Sequence, residues 1–294
     1  MRTFLPALCT AVLAATAQDV HPERLRADVA FLAAEPLAGR RALEPGSDVA
    51  AHFIAAEFRK AGLQPGAGDS FFQPFELIEY RMDSEATRLV VHRGSERRVL
   101  AHGRDFGGSF PRHCSLRAPV VFAGYGIVAP EYDYDDYAGL DVRGKIVLAF
   151  EYEPRAHDAT SPFNGTGNTV HASPRRKLLV AQERGAVALL LIPAPNRKRP
   201  FRPGRGGRVQ ALAESEIRIP MFTLTPEAAG ALIAHTGRRL ADLQQELDRS
   251  LKPLRLPLEA EVEIRAGPAG GGPGRDPNTA AGHPRPPTHQ RARA

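Results

Sequence analysis

With 294 residues, 43% of them hydrophobic and 24% charged, the chain is long enough to bury the core of one or two domains and too ordinary in composition to be fibrous or wholly disordered. Its formal charge of +6 is unevenly placed. Six basic residues and no acid lie between Arg197 and Arg208, the stretch from Arg265 to Ala294 carries about +4, and the remaining body is therefore near −4. A basic loop and a basic tail without aromatic platforms or a recognition motif exclude specific nucleic-acid binding as the leading function.

Arg2 precedes an apolar run from Phe4 to Ala15 that ends in the small-x-small triplet Ala15, Thr16, Ala17. This pattern predicts a secretory signal over residues 1–17, cleaved before Gln18, and a secreted or periplasmic product. The run is too short to span a bilayer and no later stretch is longer, so no membrane association is expected after cleavage. Cys9 would leave with the signal, which makes Cys114 a lone thiol with no intramolecular disulfide. His113 stands beside it, but nothing nearby supplies the positioned base and anion site of a cysteine nucleophile.

Leu25, Val29 and Leu32 recur at helical spacing after Pro22, predicting a first helix over 22–32. A Pro/Gly/Arg-rich stretch over 35–46 follows. Ser47 is then expected to cap a second helix with the stripe Val49, Phe53, Ile54 and Ala61, stopped by Gly62. Beyond Phe71, Phe72 and Phe75 the pattern turns extended: Thr87–Val91 and Arg97–Leu100 flank Gly94-Ser95 as a β-hairpin. Strands are predicted at Val120–Phe122, Lys145–Phe150, Val187–Ile192 and Met221–Leu224, with helical patterning at Arg175–Arg184 and Pro226–Thr236. From about Ala266 no Val, Ile, Leu, Phe or Tyr remains, and such a segment cannot bury enough apolar surface to offset chain entropy.

The stretch from Pro119 to Glu151, PVVFAGYGIVAPEYDYDDYAGLDVRGKIVLAFE, resembles the protease-associated domain of secreted zinc aminopeptidases of metallopeptidase family 28. The resemblance rests on Phe122–Ile127, Asp135-Asp136-Tyr137 and Leu140–Val147, and it extends over most of Val20 to Ile264. Upstream, LAAEPLAGRRALEPGSDVAAHFIAAEFRKAGLQP and FFQPFEL look like the opening of such peptidases; downstream, ERGAVALLLI, IRIPMFTLTPEAAGALI and LADLQQELDRSLKP look like the remainder of the associated domain.

The expected fold is α+β: between the signal at 1–17 and a disordered tail at 265–294, both read from composition, the resemblance implies an N-terminal helical segment of the peptidase domain at 18–80 and a β-rich protease-associated domain at 81–264. It further implies a peptide or protein substrate as partner. Such a family chain would next supply zinc ligands beginning with a His-x-Asp motif, and none follows here: His157-Asp158 is adjacent rather than spaced. No residue is therefore assigned a catalytic, cofactor-binding or metal role, and no cofactor is expected in this chain although the family uses zinc. The expected function is the accessory portion of a secreted zinc-dependent aminopeptidase-like hydrolase, truncated and catalytically inactive; the alternative is a free-standing extracellular peptide- or protein-binding module. The tail is expected to be foreign to the fold, as a frameshift would make it.

Three weaker constellations complete the reading. Glu131, Asp133, Asp135 and Asp136 lack the Gly turn and terminal Glu of a calcium loop and read as surface turn acids. His113, His157 and His171 lack metal-ligand spacing. Asn164-Gly165-Thr166 fits a glycosylation acceptor but reads as a flexible turn.

Overall fold

The computed structural model describes residues 21–66, 68–195, 200–204, 209–212, 215–269 and 279–280. The expected signal, most of the basic loop and most of the tail lie outside the described residues. The chain divides into two compact units, one containing residues up to Phe75 and the other running from Glu76 to Ala281.

The first unit holds helix α1 (Pro22–Leu32) and helix α2 (Pro45–Lys60). Both begin with proline in the first turn, where its missing N–H costs nothing. Helix α2 starts two residues before the expected cap, because Pro45 already has the right φ. Ser47 accordingly sits inside the first turn, and its hydroxyl donates to the Glu44 carbonyl at 3.0 Å instead of accepting from the backbone. The expected apolar stripe is also rotated: the buried positions of α2 are Gly46, Ala50, Ala51 and Ala55, while Val49 stays 47% exposed. Leu37 packs its backbone against Gly46, where any Cβ would overlap it. Phe31 stacks on Phe53 with ring centroids 4.4 Å apart, and Arg24 pairs with Glu57 at 3.1 Å.

The second unit is built of mixed helix and sheet. Its strands are β1 (Leu77–Tyr80), β2 (Arg88–Arg93), β3 (Glu96–Ala101), β4 (Phe106–Gly107), β5 (Cys114–Phe122), β6 (Val128–Ala129), β7 (Tyr134–Asp135), β8 (Ile146–Phe150), β9 (Ala188–Ile192), β10 (Val209–Leu212), β11 (Met221–Leu224), β12 (Glu261–Ala266) and β13 (Thr279–Ala280). Helices α3 (Pro174–Glu183), α4 (Pro226–Ile233) and α5 (Leu240–Ser250) accompany them.

Eight strands form one sheet in the order β3-β2-β12-β5-β8-β9-β11-β4. The expected hairpin is there: Arg93 faces Glu96 across the Gly94-Ser95 turn, with Gly94 at φ +53°. Strand β5 serves two neighbours in succession. Its residues Cys114–Pro119 pair antiparallel with β12, and Val120–Phe122 pair parallel with β8. The parallel half continues through β9 and β11, and every residue of β8 and β9 is buried, as expected of parallel strands covered on both faces. Strand β12 alternates instead, with Val262, Ile264 and Ala266 inward.

The ordered chain continues past residue 264, where the tail was expected to begin. Arg265 and Ala266 complete β12, Gly267 O accepts from Asp83 N at 3.0 Å, and Ala269 N donates to Arg81 O at 2.6 Å. Backbone pairing of this kind needs no apolar side chain, so composition could not mark its end. Strand β13 pairs antiparallel with β1.

Candidate functional site

The residues that carry the family resemblance converge on one buried polar cluster at the carboxyl ends of β5 and β8. Strand β5 leads into Ala123-Gly124-Tyr125-Gly126, a reversal that places Gly124 at φ +49° and Gly126 at φ +67°. A Cβ on Gly124 would overlap the Asp136 carboxylate, so glycine is required there for space as well as for conformation. Asp136 is 3% exposed and accepts from Tyr125 N at 3.1 Å, Ile127 N at 3.0 Å and the Tyr134 hydroxyl at 2.8 Å. The Tyr125 hydroxyl in turn donates to Asp248 of α5 at 2.6 Å, and Asp248 also accepts from Arg155 N at 3.0 Å. The tyrosine hydroxyls of 125 and 134 are pushed up by burial first and by the neighbouring carboxylates second, so they act as donors.

Lys177 enters the same cluster from α3 and is 1% exposed. Its ammonium donates to the carbonyls of Tyr125 and Tyr152 and to that of Phe150 at 3.1 Å. Three carbonyls match the three N–H donors of a lysine. Burial pushes Lys177 down to about 7 and Asp136 up to about 7; attraction between the two and the hydrogen bonds to the Asp136 carboxylate oppose these shifts. Next to the lysine, Glu153 is 1% exposed and accepts from both the backbone N–H and the hydroxyl of Thr169. Tyr152, Arg155 and His157 all adopt left-handed backbone, at φ +61°, +55° and +73°. The cluster therefore fixes the loops that follow β5 and β8, at the end of a parallel sheet where ligands commonly bind in α/β proteins. Its titrating groups are turned inward, and the arrangement offers a rigid loop platform in place of an exposed nucleophile or base.

The four acids read as surface turn residues separate. Asp136 is a correction, since it is buried and holds the GYG reversal. Glu131 accepts from His171 Nε2 at 2.7 Å and is held below the usual carboxylate range mainly by that bond. Asp135 lies 3.4 Å from Arg184, and Asp133 occupies a left-handed turn at φ +50°. They do not converge on a calcium position. His157 packs edge-on to Tyr152 at 5.3 Å, and the His113 ring fills the space beside Gly267. Burial pushes the Cys114 thiol up, which disfavours the thiolate a nucleophile needs. Asn164 is exposed in a run of turns. Among the described residues no group of three His, Cys, Asp or Glu side chains could hold a metal ion, so these residues do not fit a zinc centre. No helix among them is long and apolar enough to cross a membrane.

Lys177 escaped the sequence reading. The signal was present: in α3 the buried positions are Lys177, Leu178, Val180 and Ala181, so the lysine occupies the apolar face at helical spacing.

No known family model matches the chain, and no curated protein matches it. Among solved structures it is similar to an aminopeptidase from Aneurinibacillus sp. strain AM-1, at 17% identity over 83% of this chain and 43% of that one, with a TM-score of 0.37. It is also similar to BSAP, a zinc aminopeptidase from Bacillus subtilis, at 17% identity over 84% and 43% of the two chains and a TM-score of 0.31. A subtilisin-like protease, Apa1 from Pseudoalteromonas sp. AS-11, follows at 12% identity, 66% and 36% coverage and a TM-score of 0.29. The chain spans less than half the length of each. At such identities and scores no residue role carries over from any of them.

Proposed function

We propose that this chain is the accessory, protease-associated portion of a secreted, zinc-dependent aminopeptidase-like hydrolase and performs no hydrolysis itself. One observation carries the reading: the separated motifs of the family resemblance, Phe122–Ile127 and Asp135-Asp136-Tyr137, are joined by the buried Asp136 carboxylate into a single structural device. Sequence pieces that match in order and also depend on one another physically support a shared domain more strongly than either piece alone. The platform they build would shape access to a neighbouring peptidase centre or hold part of its substrate.

The test is an assay of the purified chain with leucine 4-nitroanilide and added zinc, together with a zinc titration. No metal-dependent release of nitroaniline and no stoichiometric zinc uptake are expected. Zinc-dependent turnover that follows the chain through purification would overturn the proposal. The second reading, a free-standing extracellular binding module, gains support from the exposed edge of the large sheet.

A further inference from the structure

We infer that strand β3 is a docking edge for an extended, acidic peptide segment, which would pair with it as a ninth strand and cover a cavity beside helix α4. Strand β3 ends the sheet order and has β2 as its one strand neighbour among the described residues. Four successive residues, Glu96 to Val99, are exposed, and Val99 is 44% exposed despite its apolar side chain. The hairpin fixes which backbone groups face outward. A two-residue turn makes Arg93 and Glu96 a hydrogen-bonded pair, and such pairs alternate, so Glu96, Arg98 and Leu100 bond to β2. The N–H and C=O groups of Arg97, Val99 and Ala101 therefore point away from β2. Ala101 is already closed off, its N–H donating to Asp105 Oδ2 at 2.8 Å and its carbonyl accepting from Asp105 N at 2.9 Å. Arg97 and Val99 remain as the outward pair.

On the inward face this edge borders a cavity of about 220 Å³. Its lining includes the apolar Val91, Leu100, Ala228 and Ala231 and the charged Arg93, Glu96 and Arg98. A strand added to β3 would lie roughly 4.8 Å further out, and every second side chain would enter that space. The charge of the edge selects the occupant. Arg97 and Arg98 against the single Glu96 favour acids opposite the arginines, with apolar residues opposite Val99 and Leu100. The strand carries no proline and its register with β2 is unbroken by a bulge, so two of the usual protections of an edge strand are missing and the charges on Glu96, Arg97 and Arg98 select the partner.

The probe is acetyl-Thr-Val-Val-Asp-Asp-Thr-amide, which in antiparallel register sets its two valines against Leu100 and Val99 and its two aspartates against Arg98 and Arg97. At saturation the amide hydrogens of Arg97 and Val99 should exchange at least about tenfold more slowly, while those of Arg98 and Leu100, already in the ladder, change little. Val99→Pro removes only an outward N–H and should abolish the effect with the fold intact. Should that variant unfold, Arg97→Glu combined with Arg98→Glu keeps the backbone and should transfer preference to the same peptide with lysines in place of aspartates. No slowing at Arg97 and Val99, unchanged binding by Val99→Pro, or a peptide-free dimer that buries β3 would each overturn the inference. None of these outcomes depends on zinc or hydrolysis, so this inference and the functional proposal can fail separately.

Discussion

Gly124 and Asp136 form a pair in which each residue explains the other, and substitutions should expose this. Alanine at Gly124 would have to hold φ +49° and place its Cβ on the Asp136 carboxylate, which would then lose its alignment with two buried N–H groups. We expect Gly124→Ala to destabilise the protein by about 2–4 kcal/mol, combining left-handed strain with disrupted buried hydrogen bonds. Gly144 is the control: its φ is +69° but a Cβ there meets nothing within 4 Å, so Gly144→Ala should cost about 1 kcal/mol. Urea titration of the two variants measures the difference, and equal losses would show that the close approach to Asp136 is unimportant. The buried charges also predict a pH dependence. Asp136 rises from 3.8 to about 7 in the folded chain, so its contribution favours folding fully below 3.8 and is lost as pH rises through 7. Lys177 falls from 10.5 to about 7, so its contribution is present above 10.5 and is lost as pH falls through 7. The free energy of unfolding of the wild-type chain should therefore fall, relative to Asp136→Asn, between pH 4.5 and 7. Parallel curves for the two proteins would contradict this.

At the scale of elements, two helix starts that look alike in sequence are built differently. Ser47 was expected to cap α2 and does not, whereas Thr225 accepts from Ala228 N at 3.2 Å at the start of α4. Thr225→Ala should cost about 1 kcal/mol and Ser47→Ala under about 0.5 kcal/mol, measured by the same urea titrations. Equal costs would mean that the hydroxyl of Ser47 matters in some other way. The contrast marks the boundary of what the sequence could tell. Local periodicity and turn residues revealed the β2–β3 hairpin, β8, β9, β11 and α3, because each is dictated by its own residues. The residues of β12 alternate between charged and apolar, but its place between β2 and β5 is not legible in them, since its partners lie more than a hundred residues away and pairing leaves no mark on composition. The burial of Asp136 was hidden for a related reason: the other three candidate acids beside it, Glu131, Asp133 and Asp135, are not buried, and only the glycine reversal facing it distinguishes it. Lys177 was hidden by its type, because a lysine on an apolar face is read as an interruption until three carbonyls are found around it.

The two units differ most in how much of their backbone is shielded, and stability should follow that difference. Helix α1 buries none of its residues, and Leu25 and Val29 of its apolar face are 56% and 57% exposed. Helix α2 buries three alanines and a glycine, side chains that remove little apolar surface from water. Strands β8 and β9 bury every residue, are flanked by hydrogen-bonded strands on both sides, and have the Lys177 and Asp136 cluster at their carboxyl ends. Local opening needs only the loss of the contacts that an element makes, so α1 should open by fraying while β8 and β9 should open only when the second unit unfolds as a whole. We expect amide hydrogens of Pro22–Lys60 to exchange at least about a hundredfold faster than those of Ile146–Phe150 and Ala188–Ile192 under native conditions. A fragment of residues 76–281 should keep the slow exchange of β8 and β9, because the described strands of the large sheet all lie within it. Equal protection of helices and strands in the full chain would show that the first unit is as tightly held as the second. Loss of slow exchange at β8 and β9 in the fragment would show that the second unit depends on the first for its fold.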